Sequence, residues 1–286
     1  MQSANSIKKN YFYNVIAKIF LLLIPIIVTP FLARRLEPDG NGSLSFIASI
    51  VSYFILAANI GIETYGQRLI ATHQKDIAFH KKALFEIFLL RLLLTILSLI
   101  AFYVTFVVIL GESRTIYALF GITLAATAID FTWFFQGIEK FNVIAISNVI
   151  SKIIYVPLVI VLVQDKGDLW LACLLQVLST ILPFFICIPV LVNNFKGVKI
   201  EGRINPFSHF KECMIYFIPT VAIQIYTVLD KTMIGLITHS DAEVGFYEQA
   251  EKLVKLPLTV VTSLNIIMRS RISYYYSLNE LNCEIY

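Results

Sequence analysis

Apolar residues come in long unbroken blocks along this chain, and charges gather between the blocks. Residues 42–62, 92–111 and 169–195 contain no Asp, Glu, Lys or Arg. Each block meets the roughly 20 residues that a helix needs to cross a bilayer. Extending the pattern predicts eight helical spans, at about 11–33, 43–62, 83–110, 115–138, 142–163, 169–193, 212–238 and 244–268. The eighth is the weakest, because Glu248, Glu251, Lys252 and Lys255 crowd its first half. The connections 34–42, 111–114, 164–168 and 239–243 are short, whereas 63–82 and 194–211 are longer and basic. Segment 63–82 sets Leu69, Ile70, Ile77 and Phe79 among charges. Two readings are open for it: a helix lying on the inner leaflet or a solvated connector.

Composition agrees with the block pattern. The chain is 58% apolar and 15% charged, against roughly 45–50% and about 25% in soluble domains. The expected fold class is therefore an all-α polytopic membrane protein. Cys173, Cys187, Cys213 and Cys283 have neither metal-ligand nor disulfide spacing and read as small membrane-core residues. No metal or cofactor is expected. A net charge of +4 without a compact basic domain argues against a nucleic-acid partner. Lys8 and Lys9 precede a full-length span, so no cleavable signal peptide is visible.

The basic residues outside the spans set an orientation. The N-terminus with 63–82, 139–141 and 194–211 holds Lys8, Lys9, Arg68, Lys75, Lys81, Lys82, Lys140, Lys196, Lys199 and Arg203. The opposite side holds Arg34, Arg35, Arg114 and Lys166. That bias places the N-terminus in the cytoplasm and leaves every external loop under ten residues.

Charged residues inside spans cost roughly 2.5–3.5 kcal/mol each on insertion scales and point to function. They are Lys18, Arg91, Asp130, Lys152, Asp230 and Lys231. The first four lie roughly 10–15 Å from the inner surface at a rise of 1.5 Å per residue. If they share a cavity, it is a net-positive vestibule. The alternatives are snorkelling lysine and arginine, and an Asp130 that pairs with Arg91 or Lys152 to lock helices together. Asp230 and Lys231 are adjacent, hence about 100° apart on a helix, and each needs its own partner in another helix or in water. Trp133, Phe134, Phe135 and Phe141 read as an aromatic belt at the inner interface. Prolines 25, 30, 157, 183, 189 and 219 are expected to kink their spans.

Two segments look alike at an offset of 203 residues: FLARRLEPDGNGSLSF (31–46) and IGLITHSDAEVGFYEQ (234–249). Each has a helix end, an acidic turn, then a glycine (Gly42, Gly245) entering the next span. Span seven would then restart the pattern of span one, as in transporters built from repeats. The division expected is a six-span N-terminal lobe over 1–200 and the start of a second, repeated lobe over 201–286. A matched second repeat needs six spans and about two are present, which reads as C-terminal truncation.

Five pieces in order, FLARRLEPDGNG (31–42), GIETYGQRLIA (61–71), DFTWFFQGIEKF (130–141), LDKTMIG (229–235) and RISYYYSLNE (271–280), resemble the bacterial polysaccharide repeat-unit flippases of capsule and O-antigen pathways. These belong to the superfamily that includes the MATE drug exporters and lipid II flippases. LNIIMRSR (264–271) departs from the pattern, with Asn265 and Arg269 where a glycine and an apolar-proline segment are expected. The resemblance implies two six-helix lobes around a cationic cavity in the bacterial cytoplasmic membrane. It implies a cargo of undecaprenyl-pyrophosphate-linked oligosaccharide, with membrane lipids, a polysaccharide polymerase and a chain-length regulator as partners. It also implies that Asp230 and Lys231 line the cavity from the second lobe. Alternatives are an inactive truncated remnant, a MATE-like antiporter, and a membrane polysaccharide polymerase. An antiporter would more naturally carry acidic cation sites. A polymerase would need a large external loop and catalytic spacing, and no HExxH or DxD occurs in any loop, so an enzyme is not expected.

Overall fold

In a computed structural model of the chain, the backbone is described for residues 4–73, 76–110, 114–200 and 202–277, and side chains for most of these from Phe20 onward. The protein is an all-α polytopic membrane protein, and none of the described residues is in a strand. The helices are α1 (Ala4–Asn59), α2 (Ile62–Thr72), α3 (Ile77–Phe102), α4 (Arg114–Ala126), α5 (Thr132–Gly137), α6 (Phe141–Leu162), α7 (Leu169–Asn194), α8 (Phe210–Thr238) and α9 (Asp241–Ser277). A π-helical stretch, Tyr103–Leu110, extends α3. Among the described residues, Leu23–Asn59, Ile77–Phe106, Phe141–Leu162, Lys166–Asn194 and Pro206–Thr238 are long and apolar enough to cross a membrane.

α1 holds two limbs broken at Glu37 (φ 58, ψ 173). The cause is local: Pro38 disfavours the helical region for the residue before it and then starts the second limb without a missed hydrogen bond. His239, between α8 and α9, also has a positive φ (49), but with ψ 31 it lies in the left-handed helical region. The two corners thus share a positive φ and differ in ψ. Gly61 (φ 72) turns the chain from α1 into α2, and a Cβ there would meet the Cys213 carbonyl oxygen at 2.6 Å. Positive φ and the close approach of α8 both require glycine.

Segment 63–82 is not a solvated connector. α2 buries Ile62, Tyr65, Gly66, Gln67, Ile70 and Ala71, and packs on α5. Small residues bring the two helices together. A Cβ on Gly66 would lie 2.4 Å from the Trp133 ring, and one on Gly137 would lie 2.7 Å from Ile70 Cβ. Trp133, Phe134 and Phe135 are no more than 1% exposed. They are the core under α2, not an interfacial belt; helix α5 turns them into the protein because the chain leaves the α4 axis at Asp130.

Two apolar cores result. One joins α1, the end of α3, α4, α6 and α7 around Val51, Phe102, Leu124 and Val159. The other joins α2, α3 and α5 with the facing ends of α7 and α8 around Ile87, Leu90 and Trp133. Contacts between connections confirm the alternation of chain ends. Arg35 donates to the Gln164 carbonyl and Lys166 pairs with Glu37 at one end. At the other end, which carries α2 and α5, Lys81 donates to the Val198 carbonyl and Lys140 to Asn194.

Candidate functional site

The charged residues of the spans separate into three groups. The first lies at the α2 end. Arg91 on α3 is 2% exposed and its Nη1 donates to the Asp130 carbonyl at 2.6 Å. That carbonyl is available because the helix ends in a 3-10 turn at Thr127–Ile129 and Asp130 is extended. The Asp130 carboxylate accepts from the Thr132 amide at 2.9 Å, restarting the helix as α5. Its other oxygen is 3.7 Å from Arg91 Nη2, which also sits 3.6 Å from Glu63. Glu63 occupies the first turn of α2, where a carboxylate suits the helix dipole, and accepts from Asn59 at 2.8 Å. Arg269 of α9 donates to the neighbouring Thr64 at 3.1 Å. Half of the Glu63 side chain (53%) is open, and the other half packs among protein groups. Loss of hydration there, followed by the negative charge of Asp130, outweighs Arg91 and raises its carboxyl above the usual range.

The second group is on α6 and α7. Lys152 Nζ donates to Ser179 Oγ at 2.9 Å and lies 4.9 Å over the Tyr155 ring. Beside it an apolar groove of about 220 Å³ runs between the helices, lined by residues such as Ile154, Leu178 and Phe185. Among the described residues, Arg91 and Lys152 share no partner. The structure thus brings Arg91 to Asp130 and leaves Lys152 on another interface; the side chain of Lys18 lies outside the described residues, as does Cys283.

The third group joins α8 to α9. Asp230 accepts from the Tyr247 hydroxyl at 2.6 Å. Lys231 pairs with Glu248 and, at 2.7 Å, with Glu251. Lys252 lies 3.1 Å from Glu248 and Lys255 2.5 Å from Glu251. Each member of the Asp230–Lys231 dipeptide has its own partner on α9. Residues 248, 251, 252 and 255 follow i, i+3, i+4, i+7, so they form one helix face. That spacing is the signal by which the partners of Lys231 were readable. Above this face a polar cavity of about 230 Å³ reaches α1 and α7.

A further network ties the α7–α8 connection to the core. Glu86 of α3 accepts from the Asn205 amide at 2.9 Å and lies 3.0 Å from His209 Nε2. His209 Nδ1 is 2.7 Å from the Tyr65 hydroxyl of α2. Burial raises the Tyr65 hydroxyl pKa, so it stays a donor. Sequence spacing gives no sign of this network, nor of Glu63, because its members are far apart in the chain. Among the described residues no His, Cys, Asp and Glu group could hold a metal ion.

A family model described as "Polysaccharide biosynthesis protein" matches residues 7–268. Two curated proteins, each called "Putative O-antigen transporter", are similar to the chain. The one from Escherichia coli (strain K12) is 22% identical over 96% of this chain, and the one from Shigella dysenteriae is 26% identical over 81%. The alignments cover 67% and 58% of those proteins' own lengths. No solved structure matches.

Proposed function

We propose that this chain, which belongs to the polysaccharide biosynthesis protein family, moves undecaprenyl-pyrophosphate-linked oligosaccharide across the bacterial cytoplasmic membrane. It would do so as a transporter and not an enzyme, in capsule or O-antigen synthesis. The observation that carries this reading is the similarity of 96% of the chain to a protein called an O-antigen transporter. The geometry supports it. A diphosphate needs cationic donors in a site of low dielectric, and the α2 end holds the buried Arg91 with Arg269 beside it. The basic connections favour a cytoplasmic position for that end and for the N-terminus.

In mechanism, the diphosphate enters at the α2 end and competes with Glu63 for Arg91. Protonation of Glu63 leaves Arg91 facing one carboxylate in place of two and frees positive charge for the anion. Lys152 and the pair Asp230–Lys231 line later parts of the path. Residues 1–200 act as one lobe and 201–286 as the beginning of a second; the look-alike segments 31–46 and 234–249, whose corresponding Gly42 and Gly245 meet, favour this division. Rocking of the lobes about their contact then gives alternating access.

The test is complementation of a cell lacking its capsule flippase, with membrane insertion of the chain checked and surface polysaccharide assayed. Restored polymer, lost in Arg91→Met and Lys152→Ala, is expected. A well-inserted chain that yields no polymer where a full-length homologue does overturns the reading.

A further inference from the structure

Along the second limb of α1, Ser45, Ser49, Ser52 and Asn59 recur at i, i+4, i+7 and i+14, on one helix face. The stripe has two ends of different character. Asn59 bonds to Glu63 beside Arg91, in the charged group at the α2 end. The three serines line the polar cavity of about 230 Å³, together with Gln176, Lys231 and Glu248. Ten residues separate Ser49 from Asn59, a rise of about 15 Å.

The cavity has a definite chemistry. Its charges are engaged with one another: Lys231 is held between Glu248 and Glu251, and Lys252 and Lys255 close the ladder on the same two carboxylates. An anion would have to compete with these carboxylates for every ammonium there. What the wall offers is neutral hydrogen-bonding capacity. Ser49 is engaged with Thr232 at 3.1 Å and Ser52 with the Ser49 carbonyl. Asn41 spends its amide hydrogens on the Leu32 and Glu37 carbonyls, leaving its oxygen. Among the described residues, the Ser45 hydroxyl and the Gln176 side-chain amide have no hydrogen-bond partner. Mixed donors and acceptors without charge, half enclosed within the bundle, suit a ring bearing several hydroxyls. The volume admits one such ring and falls short of the ~300 Å³ at which drug-sized pockets begin.

We infer that this cavity seats one uncharged sugar ring of the cargo while its diphosphate lies at the Arg91 end of the same α1 stripe. The inference rests on the proposed function, since it assumes a sugar-bearing diphosphate. It adds that the two chemistries of the cargo are read at separate places, one charged and one neutral, at the two ends of one α1 stripe. Gln176, from α7, then helps to choose which sugar is accepted.

The experiment places a thiol in the wall. Ser45→Cys protein in lipid nanodiscs is treated with N-ethylmaleimide, with the wild-type chain and its native cysteines as baseline. Two lipids are compared: undecaprenyl-pyrophosphate-linked oligosaccharide extracted from the flippase-deficient cells, and sugar-free undecaprenyl pyrophosphate. Lipid binding is read in parallel by native mass spectrometry. The expected result is that both lipids bind and only the sugar-bearing one slows alkylation of the thiol introduced at position 45. Gln176→Leu is expected to weaken the sugar-bearing lipid about fivefold, the worth of one hydrogen bond, and to leave the sugar-free lipid unchanged. Binding of both lipids with equal or no protection overturns the subsite while leaving the transporter reading intact. Binding of neither overturns both.

Discussion

Gly42 and Gly245 touch backbone to backbone: a Cβ on Gly42 would lie 3.0 Å from the Gly245 nitrogen, and one on Gly245 would lie 2.3 Å from the Pro38 carbonyl oxygen. These are the two glycines that correspond in the look-alike segments 31–46 and 234–249. Corresponding residues meet each other where a local two-fold relates two halves. The contact lies at the end of the bundle opposite α2, so it closes the space between α1 and α9 there.

Gly42→Ala is therefore expected to destabilise the fold. The added methyl would fall 1.6 Å from the Asp241 carbonyl oxygen, which is backbone and moves only with all of α9. Overpacking of this kind costs about 1–3 kcal/mol or more. The check is the apparent Tm of the detergent-solubilised protein; an unchanged value would mean that α1 and α9 are not held this closely.

The Gly66–Trp133 contact gives a second prediction. Gly66→Ala forces the indole away, and Trp133→Ala empties a fully buried site. The latter costs about 3–5 kcal/mol by itself. In the double variant the methyl added at position 66 enters the space left by the ring, so the two losses are less than additive. Strict additivity in a thermal-unfolding cycle would show that α2 and α5 do not pack through this pair.

What was legible in the sequence, and what was not, follows from how each feature is encoded. A lipid-facing helix is written in the length of an apolar run, so the long helices α1, α3, α6, α7 and α8 are visible in outline, whereas the span expected over 115–138 is broken at Asp130 into α4 and α5. Even the charged start of α9 is helical, because its charges share one face. Trp133, Phe134 and Phe135 misled, since a tryptophan at a span end has the same local signature whether it faces headgroups or a helix such as α2. The site was half visible. Arg91 and Asp130 stood out as charges within apolar runs, and their pairing was one of two open readings. Glu63 did not stand out, because it lies outside a run and gains meaning only when the turn at Gly61 brings it to Arg91. Lys152 was grouped with Arg91 by depth alone, and depth says nothing about which helix face a side chain takes.

Arg91 supplies a third prediction. Replacing it by methionine leaves the Asp130 carbonyl without its donor and two carboxylates facing each other. Removing one partner of a buried ion pair costs about 3–5 kcal/mol. Arg91→Lys is expected to recover little, because a single ammonium cannot serve the carbonyl and both carboxylates from one planar fork. The measurement is expression and monodispersity by size-exclusion chromatography, followed by apparent Tm. A lysine variant as stable as the parent would show that only the charge at position 91 matters.

The last prediction concerns pH. Glu63 has a carboxyl raised above its ordinary value of 4.5, first by lost hydration and second by Asp130, against the opposing pull of Arg91, Asn59 and Arg269. A raised pKa means that the folded protein holds this proton more tightly than the unfolded chain does. Between the ordinary value and the raised one, the folded state binds more protons, so stability falls as pH rises through that window. Glu63→Gln carries a permanently neutral side chain and lacks this dependence. The difference in apparent Tm, Glu63→Gln minus wild type, is thus expected to grow as pH rises above the ordinary carboxyl value of 4.5. Arg91 keeps its charge throughout, so the difference reports Glu63 together with its interaction with Asp130. A difference that shrinks with rising pH would mean that Arg91 dominates and holds Glu63 ionised. In that case the carboxylate would serve as a fixed partner of the guanidinium, and the proton could not be what frees Arg91 for a diphosphate.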